Sequence, residues 1–99
     1  MEKHPDKTDY QARWWKKGFT CNTQSDPAGK RWATHFHEVD EIVVPQKGKI
    51  KILIGTSAIE PRVGQEVVIP RKVTHAIYNT GGVQAHYLYG FRHKKPARD

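Results

Sequence analysis

Two imidazoles stand two residues apart at His35 and His37, Glu41 follows four residues later, and His75 comes much further along the chain. Three imidazoles and one carboxylate are borderline donors of the kind that hold divalent Fe, Mn, Ni, Cu, Co or Zn. In an extended chain, residues i and i+2 leave the same face, about 6.6 Å apart, so His35 and His37 can converge on one ion. Glu41 has the same parity, but a straight strand would carry it roughly 20 Å beyond His35. The chain must therefore bend across Glu38-Val39-Asp40. His75 is expected to arrive from a later strand and close the site from the other side. One histidine on a half-buried strand is more often a hydrogen-bonded filler than a ligand. Two on one face beside an acid point to metal, whereas His4, His86 and His93 lack such company and read as surface or filler residues. Four protein ligands on an octahedral ion leave two adjacent positions open, unlike a coordinatively closed structural clip.

Elements that could position these groups are short and β-like. Strands are predicted over 30–37, 41–44, 49–54, 66–69, 75–79 and 83–91. Lys49-Ile50-Lys51-Ile52 alternates cleanly, with the isoleucines inward and the lysines toward water. Gly48, Gly55, Gly64 and Gly81-Gly82 fall between these runs as turns, and Pro45, Pro61 and Pro70 sit at strand ends, where a missing N–H is tolerated. Residues 22–30 are dense in turn formers and read as a loop. No stretch shows a sustained helical period. The pattern is that of an all-β sandwich or barrel.

On these residues the chain resembles a single-domain cupin. Gly29, five residues, His35-Phe36-His37, three residues, Glu41, six residues and Gly48 meet every fixed position of the first cupin motif. Gly64, five residues, Pro70, Lys72, His75 and Asn79 follow the second, except that Lys72 stands where the family usually has glycine, which bears on the turn before His75. The fifteen residues between the motifs, 49–63, suit a compact microbial cupin. The resemblance covers about residues 14–91. It implies a double-stranded β-helix (jelly-roll barrel), one divalent transition metal per chain on His35, His37, Glu41 and His75, and a homodimer.

By parity, Ile77 and Asn79 share the face of His75, and Ile50, Ile52, Val67 and Ile69 are expected as apolar pocket walls. The last strand offers either Tyr87 and Tyr89 or His86 and Leu88 to the interior, and both remain open. No catalytic residue is assigned, although a tyrosine near the metal could act as acid or base.

Bulk properties bound the remaining choices. Ninety-nine residues make one domain with a modest core, divided here into a flexible N-terminal segment (1–13), the barrel (14–91) and a basic tail (92–99). Trp14, Trp15, Trp32 and four tyrosines supply much of the apolar area. A lone cysteine, Cys21, excludes an internal disulfide and a cysteine-rich zinc site and suits a reducing compartment. The charged start lacks a secretory pattern and no apolar run approaches the roughly 20 residues of a membrane span, so a cytoplasmic protein away from membranes is expected. A net charge of +7 raises nucleic acid as a partner, but the basic residues are scattered and this is not expected to be the main role. The function classes are a metal-dependent dioxygenase, isomerase or lyase acting on a small, anionic, oxygenated substrate, or a non-catalytic metal- or ligand-binding module or sensor. A nucleic-acid binder rests on charge alone.

Overall fold

The β-branched runs form seven strands: β1 (Asn22–Asp26), β2 (Glu41–Lys47), β3 (Ile50–Ile54), β4 (Ser57–Ile59), β5 (Val67–Ile69), β6 (His75–Asn79) and β7 (Ala85–Phe91). They are preceded by one helix, α1 (Lys7–Lys16). The structure is a computed structural model that describes residues 7–93. The expectations for His4, residues 1–6 and most of the basic tail lie outside the described residues. Strands β1-β7-β2-β5 make a four-stranded antiparallel sheet and β4-β3-β6 a three-stranded one. The two sheets enclose a core of Val43, Ile50, Ile52, Val67, Ile69, Ile77, Ala85 and Tyr87. This is the all-β jelly roll that the sequence predicts.

The central strands of the larger sheet, β2 and β7, are buried on both faces. Ile42 and Val44 alternate with inward Val43 and pack, with Leu88, against Tyr10, Trp14, Phe19 and Cys21 on the outside. That outer layer contains α1, a helix that the sequence pattern does not predict. Only Tyr10 and Trp14, four residues apart, are buried among its ten, too few to repeat. Such a helix is held by packing, not propensity. It ends in a Schellman motif: the Phe19 N–H donates to Trp14 O (2.8 Å) and the Gly18 N–H to Trp15 O (3.0 Å), with Gly18 at φ 91°. Trp14 is fully buried, whereas Trp15 and Trp32 are exposed and add little to the core.

Other departures concern edges. Asn22–Asp26, read as a loop from its turn-forming composition, is an edge strand paired only with β7. Its outward polar residues suit an edge. Strand β4 was not predicted. Residues 30–37 form no continuous strand, only bridges from Arg31 to Tyr78 and from His35 to His75. The pairing slips by one residue between these bridges, which breaks the ladder. Pro45 lies inside β2 at a register shift against β7, where its missing N–H interrupts no regular ladder.

Gly90 shows how tightly the outer layer closes. A Cβ there would run into the Thr20 carbonyl and approach Trp14 Cε3 to 3.3 Å, so this point of β7 admits no side chain. Gly90→Ala should therefore destabilise the fold by about 3 kcal/mol or more. Gly82→Ala, which meets nothing within 4 Å, should stay within about 0.5 kcal/mol of the parent. Urea unfolding of both variants checks this.

Candidate metal centre

The His35 and His75 backbones hydrogen-bond to each other reciprocally: the His35 N–H donates to His75 O (2.9 Å) and the His75 N–H to His35 O (2.8 Å). Residues paired this way project from the same face of a sheet, and the two imidazole centroids lie 4.4 Å apart. His37 joins from the same side at 4.8 Å from His35 and 5.3 Å from His75. Beyond it the chain bends at Glu38 and Val39, as Glu41 requires. Asp40 fixes that bend. Its carboxylate accepts the Arg71 N–H (2.8 Å) and Arg92 Nε (2.9 Å), and its backbone carbonyl accepts the Arg92 N–H. The Arg71 N–H and the Arg92 guanidinium hold this carboxyl below the usual range, against the opposing effect of partial burial.

The result brings together all four residues singled out in the sequence. One donor atom from each of His35, His37, Glu41 and His75 lies within 4.8 Å of the others, a group that could hold a metal ion. Glu41 and His75 are buried, whereas His35 and His37 are half-buried, so the cluster is approached from the His35–His37 side.

Ring orientation follows from the backbone. His35 Nδ1 lies 2.8 Å from Ala33 O and His75 Nδ1 3.1 Å from Val73 O. A carbonyl only accepts, so Nδ1 carries the proton in both rings and Nε2 turns to the centre. Such carbonyl partners are what orient metal-ligating histidines. His75 Nε2 then sits 2.9 Å from Glu41 Oε1, a contact that needs one shared proton. Consistent with this, burial pushes the Glu41 carboxyl up to about 7, only partly offset by His35. Burial, then the neighbouring His35 and His75, lowers the pKa of His37 and favours the neutral, ligating form.

Beside the cluster opens a cavity of about 250 Å³, walled by Gln24, Trp32, Ile77, Tyr87, Tyr89 and Phe91. Of the two faces of the last strand, the interior one is therefore that of Tyr87 and Tyr89. His86 hydrogen-bonds Ser25 Oγ at an exposed position, and Leu88 packs in the outer layer. Ile77 lines the cavity as expected, but Ile50, Ile52, Val67 and Ile69 pack in the barrel core instead. The walls are mostly aromatic. Asn79 is structural: its Nδ2 donates to the carbonyls of Asp26, Pro27 and Val83.

Asp26 went unnoticed in the sequence because it sits among turn formers. It is almost fully buried and accepts hydrogen bonds from Gln24 Nε2 (2.7 Å), Trp32 Nε1 (2.9 Å) and the Tyr87 hydroxyl (2.7 Å). Burial and the Asp26 carboxylate raise the Tyr87 pKa strongly, so this phenol stays protonated.

Lys72, at the motif's glycine position, adopts φ 63° and donates its N–H to His37 O (2.7 Å). The turn keeps the left-handed geometry that glycine would supply, at a strain of roughly 1 kcal/mol. Lys72→Gly should therefore leave the cluster intact and raise stability by up to about 1 kcal/mol, moderated by the greater freedom of glycine when unfolded. Thermal or urea unfolding reads this directly.

A second prediction concerns pH. The Glu41 carboxyl has a pKa of 4.5 in the unfolded chain and about 7 when folded. Below pH 4.5 both states are protonated and no penalty arises. Between 4.5 and 7 only the unfolded chain releases its proton, so metal-free stability falls as pH rises, by roughly 3 kcal/mol in all. Glu41→Gln should remove this slope. In chelator-treated protein its stability relative to the parent should rise from pH 5 to pH 8, and an unchanged difference would exclude the assignment.

No family model matches the chain, and no curated protein does either. Solved structures do. The chain superposes on a conserved protein of unknown function from Streptococcus pyogenes with TM-score 0.70 and 20% identity, over 80% of this chain and 68% of that one. On the cupin domain of Schizosaccharomyces pombe Cnp3 the TM-score is 0.70 at 17% identity, covering 78% of this chain and 54% of that one. On an oxalate oxidase in complex with the substrate analogue glycolate it is 0.69 at 26% identity, covering 82% and 45%. The chain thus spans about half the length of the latter two. With the antiparallel jelly roll already described, these likenesses establish the fold, which is that of a cupin domain.

Proposed function

We propose that this cupin holds one divalent transition metal on His35, His37, Glu41 and His75 and acts on a small oxygenated substrate in the adjoining cavity. The observation that carries the reading is the convergence of four donors within 4.8 Å beside a cavity of about 250 Å³. Three imidazoles and a carboxylate fit Fe, Mn, Ni, Cu, Co or Zn. Such an ion supplies Lewis acidity and, for the redox-active metals, electron transfer. The chain's own residues orient two rings through Ala33 O and Val73 O. They also keep the buried pair Glu41–His75 ready to give up its shared proton when the ion binds.

The reaction classes supported are those of a dioxygenase, isomerase or lyase, and an oxalate oxidase is among the structures sharing this fold. An anionic oxygen group on the substrate would go to the metal. The small core and the sheet edges at β1 and β5 support a homodimer, and the lone reduced cysteine supports a cytoplasmic setting. No helix among the described residues is long and apolar enough to cross a membrane. The second reading, a metal or ligand sensor without turnover, is favoured by one observation. The Tyr87 hydroxyl is committed to Asp26 and so withdrawn from acid–base work.

Purified protein should carry close to one metal per chain, and His37→Ala and His75→Ala should each lose most of it, by elemental analysis. Unchanged metal in both variants would reject the site. Loaded anaerobically with Fe(II), the protein should bind nitric oxide with a new paramagnetic resonance signal that Glu41→Ala alters. A metal-loaded protein that takes up neither nitric oxide nor any chelating anion would favour the sensor or a structural ion.

A further inference from the structure

The aromatic wall beside the metal cluster has its own construction. Trp32, Tyr87, Tyr89, Phe91 and Ile77 present rings and a branched alkyl group, and the cavity lining includes no lysine or arginine. Phe91 meets His37 edge-on at 4.8 Å and Tyr89 at 5.8 Å, so the aromatic surface runs continuously outward from a ligand histidine. A polar ligand body placed here would lose its water hydrogen bonds and find few replacements, whereas a flat apolar one would bury its faces favourably.

The wall is also held rigid. Trp32 is 39% exposed, and a rim side chain with that exposure ordinarily has several rotamers open to it. Here its indole N–H is tied to Asp26, the carboxylate that also accepts Tyr87 and Gln24. Asp26 is 1% exposed and none of these three donors is charged. Burying a carboxylate is unfavourable, and doing so without a cation in that donor set makes little sense as a source of stability. It does make sense as a positioning device, because three cavity-lining side chains share one fixed acceptor.

We propose that this cavity selects a ligand with a small, planar, apolar body, most simply one aromatic ring, carried on an oxygen head group that binds the metal. Asp26 is the residue that positions the selecting wall. This rests on the metal reading above and adds the chemistry of the ligand's other end. The volume of about 250 Å³ is below that of drug-sized sites, which limits the body to a single ring or its equivalent.

Two hydroxamates with one chelating head, acetohydroxamate and benzohydroxamate, test it. Protein loaded with Ni(II) is first assayed for metal, then titrated with each by calorimetry. Benzohydroxamate should bind at least about tenfold more tightly. Trp32→Ala and Tyr89→Leu should bring the ratio to about two or less with metal content unchanged. Asp26→Asn should do the same through Trp32, so the double variant Asp26→Asn/Trp32→Ala should lose nothing further. Should Asp26→Asn fail to fold, Trp32→Phe, which keeps a ring but removes the donor to Asp26, should still lower the ratio. A wild-type ratio in that variant, or additive losses in the double variant, overturns the role of Asp26. Stoichiometric metal with no preference for the aryl ligand overturns the ligand class alone. Absence of metal from the wild type rejects the metal reading itself.

Discussion

Two backbone hydrogen bonds between His35 and His75 tie the irregular segment 30–37 to the edge of β6, and the donor cluster depends on that closure. Opposed residues in a hydrogen-bonded pair share a face, so one local pairing brings together imidazoles forty positions apart in the chain. His37 follows by the alternation of an extended backbone. Glu41 follows because Asp40, held by Arg71 and Arg92, turns the chain into β2. Each of these contacts belongs to the backbone or to a side chain that is not itself a ligand, which makes the cluster a property of the fold.

Polar groups are arranged differently at the metal cluster and at Asp26. At the metal cluster, the buried Glu41 and His75 share one proton and so avoid a pair of uncompensated charges. At the aromatic wall, Asp26 accepts from three neutral donors. The first arrangement can exchange its proton for a cation. The second has nothing to exchange and serves to hold an aromatic surface still. One small barrel thus places a donor cluster and a fixed aromatic wall around a single cavity.

The outer layer explains how so short a chain keeps the central strands of its larger sheet, β2 and β7, out of water on both sides. Helix α1 lays Tyr10 and Trp14 on Ile42, Val44 and Leu88, and the Schellman turn at Gly18 brings Phe19 back onto the same surface. Gly90 lets the Thr20 backbone approach β7 where any side chain would block it. The layer therefore covers the sheet that carries Glu41, Tyr87 and Tyr89 and keeps its strands in register.

The sequence by itself singled out His35, His37 and Glu41, because His-x-His parity and an acid at a fixed distance are local facts, and it singled out His75 through the second motif. Alternating β-branched runs between turn residues determined an all-β sandwich or barrel, and the jelly roll followed only from the resemblance of the two motifs to cupins. The sequence also required a bend across Glu38-Val39-Asp40, since no straight chain could bring Glu41 back. Only the tertiary structure decided the rest. Helix α1 was invisible because two buried side chains make no period, and β1 because an edge strand needs few apolar residues. The inward face of β7 could not be chosen from parity, since both of its faces are buried, one by the barrel and one by the helix. Asp26 looked like a turn residue until Gln24, Trp32 and Tyr87 were seen to meet on it. Lys72 showed in the sequence only as a departure from the usual glycine, and its left-handed backbone is fixed by a hydrogen bond to a residue thirty-five positions earlier. Local pattern specifies which elements form and which side chains share a face. Which of two apolar faces turns inward, and which polar groups meet, is settled by contacts between segments distant in the chain.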